Sequence, residues 1–218
     1  MKTQMFRLLS ASLAAMSLST AAHAAIVYNN GGPTPNGNET TQWQQAEDFT
    51  FGSATTIDGA GVYIGSTGDG LSNWDGAFQY AIYGDAGGSP GAALASGSVT
   101  ATTSDTGIPW FSGNAFLFEF NFNSAFNAAA NTTYWLGLHA SSDYAGRDEL
   151  YFSTTNGNGT NLGQENFENQ GSWSGNGQEH AFYLTGGAVP EPTTWALMIL
   201  GMGGAGVALR RRRVLVAA

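Results

Sequence analysis

Short segments in which apolar residues alternate with polar ones are the feature that most constrains this chain, because side chains two positions apart share one face of an extended strand. Every second residue from Phe116 to Phe122 is phenylalanine, whereas Glu119 and Asn121 fall on the opposite face. Such segments predict strands with one face in a core and the other in water. Two further segments alternate in the same way: residues 77–83 (AFQYAIY) and 132–138 (TTYWLGL).

Weaker alternation raises the number of predicted strands to eight. No segment between residues 25 and 188 keeps a helical period of 3.6 residues over three turns, and Gly- and Asn-rich spacers such as residues 87–91 are typical of turns. We therefore predict an all-β fold, an antiparallel β-sandwich of jelly-roll type. The weaker strands are residues 46–51, 60–65, 93–101, 149–153 and 180–185.

The first 24 residues have the composition of a secretory signal peptide. Lys2 and Arg7 precede a stretch of mostly small and apolar residues at 8–20. Residues 22–24 (AHA) match the small-x-small pattern of signal peptidase cleavage. A lasting membrane span is disfavoured because the apolar run is short. We expect residues 1–24 to be removed, the mature chain to begin at Ala25, and one β domain to occupy residues 25–188.

The β domain carries a large excess of negative charge. Residues 25–188 contain fifteen acidic residues, one arginine (Arg147) and no lysine, a net charge of −14 with histidine neutral. Such a surface repels phosphate backbones, so we expect no nucleic-acid partner, whereas cations and neutral polar surfaces remain compatible with it. The chain contains no cysteine, so the core of this exported domain must be stable without disulfides.

The C-terminal stretch, residues 189–213, has three unlike parts. Pro190, Glu191 and Pro192 come first, an uncharged apolar segment follows at residues 195–209, and a basic cluster closes the stretch: Arg210, Arg211, Arg212 and Arg213. As a helix the apolar segment would be about 22 Å long, so it spans a bilayer core of about 30 Å only with help from its flanking residues. The arginines predict that this end faces the cytoplasm and that the acidic domain lies outside.

This arrangement resembles the PEP-CTERM sorting signal of exported bacterial proteins, followed here by a short tail, residues 214–218. The resemblance implies that Pro190, Glu191 and Pro192 are read by an exosortase, a membrane transpeptidase-like enzyme, and that the transmembrane helix is then removed. The β domain is itself similar, through residues 82–97 and 132–138, to the divergent sandwiches that precede this signal. The resemblance implies a role in exopolysaccharide and biofilm matrix and assigns no activity.

Few residues of the domain suit catalysis. His139 and His180 are its two histidines, and we expect them to lie at strand ends with local hydrogen bonds. There is no G-x-S-x-G, no H-E-x-x-H and no cysteine nucleophile. We therefore predict no catalytic residues. A loop with four charged residues could offer paired carboxylates, but a solvated loop in which Arg147 bridges neighbouring acids is the favoured interpretation. The four are Asp143, Arg147, Asp148 and Glu149.

Two loop features suggest binding. Asp69, Asn73 and Asp75 offer oxygen ligands that suit a structural calcium ion; the spacing excludes an EF-hand, and a turn held by Asx bonds is the alternative. Trp74, Trp110 and Trp173 lie in Gly-, Ser- and Asn-rich contexts, where flat rings could stack on sugars, although covering a core is the commoner use. No other cofactor is expected.

The leading hypothesis is a noncatalytic, exported module of matrix or adhesion that contacts polysaccharide. The alternative is an extracytoplasmic glycan-active hydrolase or lyase that uses the loop from Asp143 to Glu149 or the pair Glu179 and His180. A third interpretation is a structural shell component that self-associates.

Overall fold

Thirteen strands and no helix make up the described part of the computed structural model, which comprises residues 24–67, 70–157, 159 and 162–188. Sheet 1 has seven strands: β1 (Ala24–Asn29), β2 (Gly37–Glu39), β4 (Thr55–Ser66), β7 (Thr102–Trp110), β8 (Gly113–Ala128), β10 (Leu150–Ser153) and β13 (Phe182–Ala188). Sheet 2 has six: β3 (Trp43–Thr50), β5 (Phe78–Asp85), β6 (Pro90–Val99), β9 (Thr133–His139), β11 (Gln164–Phe167) and β12 (Ser174–Gly175).

Every strand pair in the two sheets is antiparallel. Strand β4 is the centre of sheet 1: β8 pairs along one of its edges, and β13 and then β10 share the other. The outer strands of sheet 1 each pair with one of these three neighbours of β4: β7 pairs with β8, β1 pairs with β13, and β2 pairs with β10. Sheet 2 has the order β12-β11-β3-β9-β5-β6.

The alternating phenylalanines of β8 form part of a core that draws on both sheets. Phe118 and Phe120 are buried, and Phe78 of sheet 2 contacts both rings, with centroid distances of 5.4 and 5.1 Å. Phe122 stacks on Tyr80 of sheet 2 at 4.6 Å. The two sheets therefore face each other across one aromatic core, as the alternation predicted.

All eight predicted strands are present, and the all-β, antiparallel character is confirmed. The jelly-roll connectivity stays a prediction. Residues 1–23 of the predicted signal peptide and the whole of the predicted sorting segment, with Pro190 to Arg213, lie outside the described residues. Within the part of the chain that the structure describes, no helix is long and apolar enough to cross a membrane.

Candidate functional site

The charged loop between β9 and β10 is a local network. Arg147 Nε lies 3.2 Å from Glu149 Oε1, and its Nη2 donates a hydrogen bond of 2.6 Å to the Tyr151 hydroxyl. Asp143 Oδ1 accepts the amide of Ala145, two residues along the chain, at 2.9 Å. The prediction that Arg147 bridges a neighbouring acid is confirmed, and this use of the acids is structural.

The second pair of the enzyme hypothesis, Glu179 and His180, is buried between the sheets. The His180 side chain is fully buried, stacks on Phe152 at 4.5 Å and approaches Asn38 Oδ1 through Nε2 at 3.2 Å. Its Nδ1 lies 2.7 Å from Glu47 Oε2, which also accepts the His180 backbone N–H at 2.8 Å. His180 thus joins the two sheets through hydrogen bonds that solvent does not reach.

The Glu47–His180 contact is a neutral pair. Desolvation, together with the nearby charges of Glu179 and Asp48, raises the pKa of Glu47 to about 10. Burial lowers the pKa of His180 to about 3. Protonated Glu47 therefore donates to His180 Nδ1, and the Nε2–H of His180 donates to Asn38.

Three buried carboxyl groups lie close together around this pair. Glu47, Asp48 and Glu179 offer oxygens within 4.8 Å of one another, and they are the one such group among the described residues. Glu179 accepts a hydrogen bond of 3.2 Å from Asn30 Nδ2. Within the described residues, Glu47 contacts His180 and Glu179 contacts Asn30, so the cluster links its neighbours through hydrogen bonds. Sequence reasoning missed Glu47, because its partner His180 lies 133 positions away.

The loop proposed to bind calcium is tied to a neighbouring loop by Asp75. Its Oδ1 accepts the Ala77 amide and its Oδ2 the Ser142 amide, both at 2.8 Å. Desolvation acts to raise the pKa of Asp75, but hydrogen bonds, above all those from Ser142, lower it on balance. The Asp75 to Ala77 contact is the Asx bond of the alternative interpretation. Asn73 is exposed, Asp69 lies outside the described residues, and calcium binding stays a prediction.

The three tryptophans do not share a surface. For Trp110 the structure shows the commoner alternative, because its ring is fully buried over Gly65 and packs on Tyr151 at 5.1 Å, so it offers no face to a sugar. Trp74 is half-buried and packs on Phe118 of the core at 4.8 Å. Trp173 is half-buried, and its ring meets Tyr83 edge-on at 5.4 Å.

A groove of about 410 Å³, the sheet-2 groove, lies on sheet 2 beside Tyr83. Its floor is a row of small residues on neighbouring strands, in which Gly137 pairs with Ala81 and Ala81 with Ser96. Because these side chains are short, the sheet is recessed between longer neighbours. The lining comprises Gln44, Gln79, Tyr80, Ala81, Tyr83, Ala93, Ser96, Gly97, Ser98, Gly137, Leu138, His139 and Asn169.

His139 forms part of one wall and is uncharged at neutral pH. Burial lowers its pKa, against opposing effects from the Thr41 hydrogen bond and the nearby acids. Its Nε2–H donates to the Thr41 carbonyl at 2.7 Å, and its Nδ1 is buried without a partner. Tyr144 stacks on the ring at 4.0 Å. His139 is the last residue of β9, as predicted, and its ring hydrogen-bonds to the backbone.

Tyr83 lies over the floor of the sheet-2 groove. A Cβ at position 137 would come within 2.5 Å of Tyr83 Cε2, so the ring rests directly on the backbone of Gly137. Burial raises the pKa of Tyr83 to about 12, with a further contribution from Tyr144, so the hydroxyl stays protonated. The sequence did not predict this groove, because its floor depends on which strands are neighbours in the sheet. The only local indication in the sequence is the position of Tyr83 next to a Gly-rich turn.

One family matches the chain. Residues 188–213 match the family described as PEP-CTERM protein-sorting motif. A comparison with curated proteins gave no match.

Proposed function

Because this chain carries a PEP-CTERM protein-sorting motif, it is an exported protein that an exosortase sorts at the membrane, and we propose that its β domain is a noncatalytic module of matrix or adhesion. The module contacts polysaccharide at the cell surface or outside the cell. The proposal includes jelly-roll connectivity for the β-sandwich.

The burial of the acid–base side chains carries the noncatalytic part of the proposal. A general acid or base must reach the proton that it transfers, directly or through one water molecule. Glu179 is 2% exposed and His180 is fully buried, and the Glu47 carboxyl that contacts His180 is buried as well. Arg147, Glu149 and Tyr151 hold one another in the remaining charged loop.

Delivery follows the two ends of the chain. Residues 1–24 direct export and are removed after Ala24. The apolar segment at 195–209, with Arg210 to Arg213, holds the C-terminal end in the membrane until exosortase cuts near Pro190, Glu191 and Pro192. Strand β1 pairs with β13 so that Ala24 lies opposite Ala188. Both cuts therefore fall next to one edge of sheet 1.

Intact-mass spectrometry of the protein recovered from its own cells tests delivery. We expect a chain that begins at Ala25 and lacks the segment from about Trp195 onward. Recovery of a chain that is intact through Ala218 would contradict exosortase processing.

Turnover assays on polysaccharide and ester substrates test the noncatalytic claim. We expect no turnover by the purified protein. Turnover that Glu179→Gln or Asp143→Asn abolishes, while Glu168→Gln on the surface retains it, would establish the glycan-active hydrolase or lyase instead. A shell component would bind no glycan and would self-associate as its concentration rises, which sedimentation detects.

A glycan array, read with and without added calcium, tests polysaccharide contact. We expect retention of at least one polysaccharide class. If retention requires calcium and Asp75→Asn removes that requirement, the loop containing Asp69, Asn73 and Asp75 holds the ion. Equal retention with and without calcium would remove calcium from the proposal.

A further inference from the structure

We infer that the sheet-2 groove is the glycan-binding surface of this protein and that its ligand is an uncharged polysaccharide strand. This inference rests on the proposed polysaccharide contact, which it narrows to one surface and one chemical class. The volume of about 410 Å³ lies within the range of about 300–1,000 Å³ that is usual for ligand sites.

The charge of the lining favours an uncharged ligand. All the acidic residues of the domain, and Arg147, are absent from the lining, which consists of amide, hydroxyl, aromatic and small side chains with a neutral His139. An uncharged glycan brings no charge that would lose its water in a groove without charged partners. The amides and hydroxyls of the lining can replace the hydrogen bonds that the glycan makes to water. The surrounding domain carries a net charge of −14. It repels uronates and sulfates over a screening length of about 10 Å at 0.1 M salt.

The aromatic ring of the groove is held in place for stacking. Gly137 lets the Tyr83 ring lie against β9, and the edge-on contact with Trp173 fixes it from the side. Tyr83 is half-buried and lines the groove, so part of its ring remains accessible. A flat ring of this kind contacts the apolar face of a sugar.

Polar groups lie around this ring at different depths. Gln79 is half-buried, and its Nε2 donates to the Ser141 carbonyl at 3.2 Å, which orients the amide. Ser96, Ser98 and Asn169 are exposed along the rim. Oriented amides and hydroxyls around a stacking ring provide both donors and acceptors, which the hydroxyl groups of a neutral sugar require.

Affinity measurements on the processed, full protein test this inference. The probes are an uncharged glucan, an uncharged mannan and an uncharged galactan, with alginate as the uronate-bearing counterpart. We expect at least one neutral probe to bind, with an affinity that added salt leaves unchanged, and alginate to bind more weakly than that probe at 0.1 M salt. Tyr83→Ala is expected to weaken binding of the neutral probe by about tenfold, the upper end for one aromatic contact.

Two further variants keep the test specific. Gly137→Ala adds a Cβ that would come within 2.5 Å of the Tyr83 ring and forces the ring to move, so it should weaken binding although Tyr83 is retained. Tyr63→Ala makes the same chemical change at a half-buried tyrosine on sheet 1 and should leave binding unchanged. Far-UV circular dichroism of each variant confirms that it is folded.

The outcomes separate this inference from the function on which it rests. Glycan binding that Tyr83→Ala and Gly137→Ala leave unchanged, or tighter binding of alginate than of every neutral probe, would overturn the groove assignment and leave polysaccharide contact standing. No binding of any probe would overturn both.

Discussion

Replacing Glu47 with glutamine should change how the stability of this protein depends on pH. Glu47 is buried, and its Oε2 contacts both the backbone N–H and the Nδ1 of His180. Glutamine has nearly the same shape, and its Oε1 at the position of Glu47 Oε2 can accept both the backbone N–H and, in the other neutral tautomer of His180, the Nδ1–H. The variant therefore keeps the contacts and removes the titration.

The sign follows from proton binding in the folded and unfolded states. Glu47 has its pKa raised from 4.5 to about 10, so above pH 4.5 the folded state holds a proton that the unfolded state has lost. His180 has its pKa lowered from 6.5 to about 3, so below pH 6.5 the unfolded state holds a proton that the folded state lacks. Between pH 4.5 and 6.5 the two effects cancel.

Above pH 6.5 only Glu47 contributes, and stability falls as the pH rises. The loss is on the order of 1 kcal/mol per pH unit over this range. Relative to the wild type, Glu47→Gln should gain stability from pH 4.5 upward, because it lacks the Glu47 contribution and its His180 contribution is no longer cancelled between pH 4.5 and 6.5. The gain should continue up to pH 8.5. Below pH 4.5 both proteins should lose stability in parallel, because His180 is present in each.

Urea unfolding followed by tryptophan fluorescence measures these differences. Groups shared by the two proteins cancel when the variant is compared with the wild type at each pH, and Glu168→Gln makes the same change at an exposed site as a control. Parallel curves for the wild type and Glu47→Gln between pH 6.5 and 8.5 would refute the neutral pair. A loss of more than about 3 kcal/mol at pH 5.5 would indicate an ionised Glu47 paired with a charged His180.

Two stability predictions use other contacts. Arg147→Gln should cost at most about 1 kcal/mol in urea unfolding, because the ion pair with Glu149 joins side chains that are 52% and 40% exposed; a larger loss would show that the loop is part of the cooperative core. Gly65→Ala should cost about 1–3 kcal/mol or more, since its Cβ would come within 2.1 Å of the buried Trp110 ring. Gly52→Ala, with nothing within 4 Å, is the control, and equal melting temperatures for the two alanine variants would contradict the packing.

The sequence predicted those strands whose two faces differ in polarity. Strand β8 alternates because its phenylalanines face the core, and it was predicted on that basis. Strand β7 was missed, because most of its residues are exposed and polarity does not alternate along an edge strand that covers little. Strand β12 is short and exposed and was missed for the same reason, whereas β11 was missed because its buried residues, Gln164 and Asn166, are polar.

Residues whose role depends on a distant partner could not be predicted. The Gly- and Ser-rich context of Trp110 is typical of an exposed tryptophan. In the structure Trp110 is buried, because Gly65 of β4 leaves space for its ring. Gly137, Ala81 and Ser96 give no signal separately and form a groove floor only when β9, β5 and β6 lie side by side. The hydrophobic period and the composition of a segment indicate how exposed its two faces are. Which segments share a surface depends on the order of the strands in the sheet.

The pairing of β1 with β13 would let this domain tolerate the proposed cuts at both ends. Removal of residues 1–24 deletes one partner, Ala24, of the pair with Ala188, and leaves the pair of Ala25 with Gly186. The stability of β1 comes from deeper in the strand, where Tyr28 packs on rings of both sheets: Phe49, Phe51 and Phe182. Cleavage at either end therefore falls beyond the contacts that hold the last strands in place, and the fold that contains the groove can persist after sorting is complete.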